Sequence, residues 1–148
     1  MELPRQPGTY ILVIEVASPL TLRVGHLGER SLPAGWYAYV GSARGPGGLA
    51  ARVGRHLKPP GAKRPRWHID ALVAQAPIRQ VGWVVSCQRL ECLWAEQLLG
   101  LPKATAPIPR FGASDCRCVS HLVAFTDVQP LCEWIDRQGL ITMPIDMT

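Results

Sequence analysis

Over the first forty residues, apolar and polar positions alternate in short runs separated by turn residues, and a period of two predicts strands. Gly8 to Ala17 is rich in β-branched and aromatic side chains and reads as a strand. Ser18-Pro19 signals a turn, after which Leu20, Leu22 and Val24 alternate along a second strand. Gly25 to Pro33 reads as a loop. Gly35 to Ser42 (GWYAYVGS) reads as a third strand, with Trp36, Ala38 and Val40 on one face and Tyr37 and Tyr39 on the other. The three segments predict an antiparallel meander.

The period then lengthens. After the link Gly45-Pro46-Gly47-Gly48, Leu49, Val53 and Leu57 recur every four residues, the buried stripe of a helix that Pro59-Pro60-Gly61 stops. A second helix is expected from near Pro65, carrying Trp67, Ile69, Leu72 and Val73. Arg79 to Ser86 reads as a strand and Leu90 to Leu99 as a helix ending at Gly100. The proline-rich stretch from Leu101 to Arg110 reads as extended loop, Cys118 to Phe125 as a final strand, Pro130 to Gln138 as a short helix, and Met143 to Thr148 as a frayed tail.

This order predicts an α/β (α+β) fold: a small central antiparallel sheet of about three strands flanked by helices, with an extra C-terminal strand and helix. Residues 8–125 form the expected domain and 126–148 a C-terminal helix and tail. At 148 residues, 47% of them hydrophobic, the chain can bury one proper core and has little room for a second. The longest apolar runs, such as Tyr10 to Val16, are far too short to cross a bilayer. The N-terminus carries Pro4, Arg5 and Pro7 and does not read as a signal peptide, so a cytoplasmic location is expected. Five cysteines, an odd number, argue against a disulfide framework and leave buried thiols or metal ligands as the readings.

Charge sharpens the picture. The net charge is +5, and no acidic residue occurs from Arg30 to Ile69. That block holds Arg44, Arg52, Arg55, Lys58, Lys63, Arg64 and Arg66. A one-sign stretch of this kind is the electrostatic footprint of a surface that meets phosphates, so nucleic acid is the expected partner, against the plainer reading of a solvated basic face.

Two phenols, Tyr10 early in the first strand and Tyr39 late in the third, can converge, since those strands either neighbour each other or flank the second. A phenol can pass a proton or hydrogen-bond a phosphate oxygen; the plain alternative is a pair of sheet aromatics. On the following helix Arg52 and His56 are four apart and share a face, from which a guanidinium can clamp a phosphate. Glu96 lies among apolar neighbours, where a carboxylate wants a cation: a metal ion, or an arginine in a purely structural pair. Glu91, in the first turn of its helix, suits the helix dipole. Preceded by Arg64 and Arg66, His68 also stands where it can touch a phosphate.

The Gly8-Thr9-Tyr10 and Tyr39-Val40-Gly41 elements, followed in order by LAARVGRH (49–56) and ECLWAE (91–96), resemble a GIY-YIG nuclease domain. The resemblance implies an endonuclease that cleaves phosphodiester bonds in DNA, in preference to RNA, with one divalent ion, Mg²⁺ or Mn²⁺. Carried over, Tyr10 is the general base, Tyr39 positions water or a phosphate oxygen, Arg52 stabilises the phosphoryl charge, His56 assists proton transfer and Glu96 holds the metal. The family commonly has an asparagine after the glutamate helix, and this chain contains none. The segments WHID (67–70) and FGASDCRCVSHL (111–122) extend the resemblance towards a subfamily also found fused to endonuclease III-type repair proteins. A degenerate module that binds nucleic acid without cutting it is the competing reading.

Cys116, Cys118 and His121 raise a zinc question. Their C-x-C-x2-H spacing departs from the usual C-x2–4-C, and Cys87 or Cys92 can complete a site only through the fold, so structural zinc is disfavoured. Another reading lets His121 or Asp115 reach the tyrosines in place of the missing asparagine.

Overall fold

The computed structural model describes residues 2–62, 67–113 and 116–145. Five antiparallel strands form the main sheet. β1 (Gly8–Val16) lies at its centre between β4 (Gly35–Ala43) and β5 (Ile78–Val85). β6 (Leu122–Phe125) flanks β4, and β7 (Ile141–Pro144) flanks β5. Both faces of β1 are covered, which is why its sequence runs almost uninterrupted through Tyr, Ile, Leu and Val instead of alternating.

The two faces divide the core. One carries Tyr10, Leu12, Ile14, Tyr37 and Tyr39, packed with Leu49 and Val53 of α1 (Gly48–Leu57) and Ile69 and Leu72 of α2 (His68–Val73). The other carries Ile11, Val13, Ala38 and Val40 against Trp94, Ala95 and Leu98 of α3 (Glu91–Leu99) and Leu131, Trp134 and Ile135 of α4 (Gln129–Gln138). Trp94 and Trp134 meet edge-to-face with ring centroids 5.5 Å apart, joining α3 to α4.

The sheet therefore has more strands than the expected three, and the meander does not form. The second segment, β2 (Leu20–Arg23), leaves the main sheet and pairs with β3 (Glu29–Leu32), which occupies part of the expected loop, in a separate two-stranded sheet. Only one side of this hairpin is apolar: Leu22 and Leu32 are buried against the tyrosine face while their neighbours stay wet. Its excursion lets β1 and β4 pair directly. At the C-terminus, residues 141–144 add a strand that takes in the first two residues of the tail expected from Met143; residues 146–148 lie outside those described. The expected strand from Cys118 shrinks to Leu122–Phe125, because residues 116–121 turn inward without a ladder partner. The expected start of the second helix near Pro65 also lies outside the described residues.

Two glycines shape the entrance to α1 and the sheet beside it. Gly48 has φ +56 and sits against the backbone of Arg5 and Gln6, where no Cβ fits. This close approach lets the carbonyls of Gln6 and Pro4 accept from the Leu49 and Ala50 N–H groups at 2.9 and 2.8 Å, capping amides that a helix start leaves orphaned. Gly41 pairs across the ladder with Tyr10, and the Tyr10 ring lies over it. Gly41→Ala is expected to lower stability by about 1–3 kcal/mol, since its methyl would strike the Tyr10 ring and hydroxyl in a filled core. A urea titration followed by circular dichroism measures the loss.

Candidate functional site

Tyr10 faces Gly41 across the β1–β4 ladder, and Tyr39 stands two residues before Gly41 on β4, on the same face. The register thus places the two phenols diagonally, with glycine between them so that the rings fill its space. Both are buried, Tyr10 to 1% exposure. The Tyr10 hydroxyl lies 2.7 Å from His56 Nε2, and His56 is itself buried on α1. Tyr39 stands edge-on to the same imidazole with centroids 6.2 Å apart. Burial drives the Tyr10 phenol well above its ordinary value, Tyr39 adds to the shift, and the Arg52 guanidinium opposes it. Tyr39 is pushed up to about 12, again by burial first. At neutral pH both phenols therefore keep their protons, and Tyr10 can donate to an unprotonated Nε2.

The pocket above them has a volume of about 390 Å³, and three arginines, Arg44, Arg52 and Arg89, reach its wall. Arg52 projects one turn before His56 and stacks on the Trp67 ring with its guanidinium carbon 4.4 Å from the centroid. Arg55 covers Trp67 as well, at 4.2 Å. Arg55 also meets the carboxylate of Asp70 with two bonds of 2.9 Å, while the Trp67 N–H donates to Asp70 Oδ2 at 2.9 Å. The side chain of Asp70 is 2% exposed. The acid-free block thus ends on the carboxylate that holds one of its own arginines.

A second cluster borders this pocket. One ligand atom each from Cys92, Cys116, Cys118 and His121 gather within 4.8 Å of one another. His121 Nε2 lies 3.4 Å from the Cys116 sulfur and 3.9 Å from that of Cys92. Burial, then the neighbouring thiols, pushes the Cys118 thiol far above its usual range. Three sulfurs and an imidazole are soft, low-coordination donors that suit zinc; magnesium takes hard oxygens in an octahedron. The expected Mg²⁺ or Mn²⁺ cofactor, and the expectation that structural zinc is disfavoured, are both corrected by this cluster. Cys92 supplies the donor that the C-x-C-x2-H segment lacks in sequence, because α3 begins beside the 116–121 segment.

A family model described as domain of unknown function DUF123 matches residues 9–140. The chain belongs to this family. No curated protein and no solved structure matches the chain.

In this DUF123 chain the remaining expected residues scatter. Glu96 is exposed and lines a different, more apolar depression with Leu93 and Val119. The carboxylate at the tyrosine pocket is Glu91, whose Oε2 is shielded from solvent with no hydrogen-bond partner among the described residues. Arg44 reaches the pocket but also donates to Ser42 Oγ and to the Ser86 carbonyl at 3.0 Å each, and to the Gln88 carbonyl, pinning the turn before α3. His68 lines a separate depression beside Asp70 and Ala71: its Nδ1 accepts from the Gly112 N–H at 2.9 Å, and burial and His26 both lower its affinity for a proton. Lys58 is exposed beyond the end of α1. Lys63, Arg64, Arg66 and Asp115 lie outside the described residues. His121 borders the tyrosine pocket, with its Nε2 turned to the sulfurs. Arg89 and Glu91 were missed as pocket residues; being two apart in sequence at a helix start, they carried no pattern that separates them from ordinary capping charges. Among the described residues no helix is long and apolar enough to cross a membrane.

Proposed function

We propose that this DUF123 chain is a phosphodiester hydrolase acting on nucleic acid, DNA in preference to RNA, with a site of the GIY-YIG kind. The observation that carries this reading is the Tyr10–His56 pair, 2.7 Å apart, at the base of a pocket reached by Arg44, Arg52 and Arg89. A phosphate seated against the guanidiniums has its negative charge offset where charge grows during attack. Water gives a proton to the Tyr10 oxygen as the phenol passes its own to His56 Nε2. The resulting hydroxide adds to phosphorus, the bond to the leaving oxygen breaks, and solvent protonates that oxygen. Tyr39, protonated, donates to a phosphate oxygen, and Glu91 Oε2 accepts from the attacking water.

Arg52 has the most exposed task in this scheme. Arg52→Ala is expected to slow nicking of supercoiled DNA by about 10²–10³-fold, read on agarose gels from the first-order loss of closed circles. Rates unchanged by the substitution would remove Arg52 from the reaction.

One observation favours a second reading. Two phenols that stay protonated, beside three arginines, make a good cradle for a phosphate without any cutting. In that case DNA binding falls log-linearly with salt, measured by fluorescence anisotropy, and no cleaved product accumulates.

A further inference from the structure

We propose that Cys92, Cys116, Cys118 and His121 form a closed, four-ligand structural zinc site that fastens the 116–121 segment to the start of α3. The inference is independent of the phosphodiester reading. Tetrahedral zinc, with bonds of about 2.3 Å to sulfur and about 2.0 Å to nitrogen, sets a sulfur and a nitrogen about 3.5 Å apart and two sulfurs about 3.8 Å apart. The structure has His121 Nε2 at 3.4 and 3.9 Å from two of the sulfurs, and all four ligand atoms within 4.8 Å of one another. The two sulfur–nitrogen distances are thus close to those a single ion sets, and the four ligand atoms lie near enough to close on one.

The surrounding chain is built to hold those ligands still. His121 is buried, its N–H donates to the Phe111 carbonyl at 2.8 Å, and its carbonyl accepts from the Val40 N–H on the central sheet at 3.0 Å. Arg110, at φ +68, donates its guanidinium to the Cys118 carbonyl at 2.9 Å and to the Cys116 carbonyl. A non-glycine residue in the left-handed region persists where its surroundings over-determine it. Such support of ligand-bearing backbone is what metal sites require.

The fold also gives the ion a task. Between α3 and β6 the described residues, 101–113 and 116–121, contain no helix and no strand of the sheet, only an isolated bridge from Thr105 to Ala124. A connection this long inside a small domain is uncommon without a function or a fastening of its own. Zinc links its last turn to the first turn of α3, and Cys92, Cys116 and His121 line the tyrosine pocket. The ion therefore sets one wall of that pocket while its four protein ligands leave no position for water.

The test is metal content and cobalt spectroscopy of the full chain, purified under reducing conditions and dialysed against metal-free buffer. Wild type is expected to retain one zinc per chain by plasma mass spectrometry. Cys87→Ser and Cys132→Ser, outside the cluster, should retain it too, while Cys116→Ser and Cys118→Ser should lose it. Cobalt exchanged into wild type should give the intense tetrahedral and thiolate-to-metal bands, unchanged on adding inorganic phosphate. A chain that neither retains zinc nor takes up cobalt overturns the proposal, as does a disulfide among these cysteines in its place. An octahedral cobalt spectrum, or one that phosphate alters, would overturn the closed site. The wild-type metal measurement stands even if the serine variants fold poorly.

Discussion

Asp70→Ala is expected to destabilise the fold by about 3–5 kcal/mol, the cost of breaking a buried ion pair by removing one member. Asp70 is the hinge of a small polar network under α2: it takes two bonds of 2.9 Å from Arg55 and a third from the Trp67 N–H. Its removal takes one carboxylate from the surroundings of a guanidinium that is 19% exposed and wedged against an indole, and takes the acceptor of the Trp67 N–H at the start of α2. Guanidinium chloride unfolding gives the loss directly. A drop below about 1 kcal/mol would place the pair among surface contacts of little consequence. Arg55→Met combined with Asp70→Leu should recover most of the loss, because replacing both charges by apolar groups of similar volume is often close to neutral. Recovery separates the broken ion pair from any general intolerance of position 70.

This network also explains why some of the site was readable in the sequence and some was not. The tyrosines and Arg52–His56 could be placed because each rests on a local period: alternate residues of a strand share a face, and residues four apart on a helix do too. The direct pairing of β1 with β4 then needed only that β2 and β3 step aside. Arg55 looked like another phosphate contact, since nothing local distinguishes it from Arg52. Its turn inward is decided by Asp70, fifteen residues on and beyond the acid-free block. Glu96 and Glu91 are five apart on one helix, so they point to different sides. Which of them meets the tyrosine pocket depends on how α3 is rotated against β4, and α3 is apolar on too many sides for its pattern to fix that rotation. The cysteine–histidine cluster was three-quarters legible: the C-x-C-x2-H segment was visible, but Cys92 joins it across a separation that only the tertiary fold closes. β7 escaped because its strand is short, with two residues exposed and two half-buried, so it carries almost no burial signature.

Tyr10→Phe and His56→Ala are expected each to slow DNA cleavage by about 10²–10⁴-fold, the range over which a positioned proton-transfer group acts. The more telling result is the double variant. If phenol and imidazole pass one proton between them, removing either breaks the relay, so the pair together should cost hardly more than one alone. Independent roles would instead multiply the two losses. The geometry favours a unit: the hydroxyl and Nε2 are 2.7 Å apart and both groups are buried. Tyr10→Phe removes only an oxygen, and the ring that fills the space over Gly41 remains, so folding should survive and DNA affinity should change little. The raised phenol also bears on the pH dependence. Tyr10 stays protonated through the neutral range, so cleavage should not await phenol ionisation, and no rise in rate that tracks loss of the Tyr10 proton is expected across that range. Single-turnover rates of wild type and the three variants across pH provide the check. A Tyr10→Phe chain as fast as wild type, or a double variant whose loss is the product of the single ones, would break the relay as proposed.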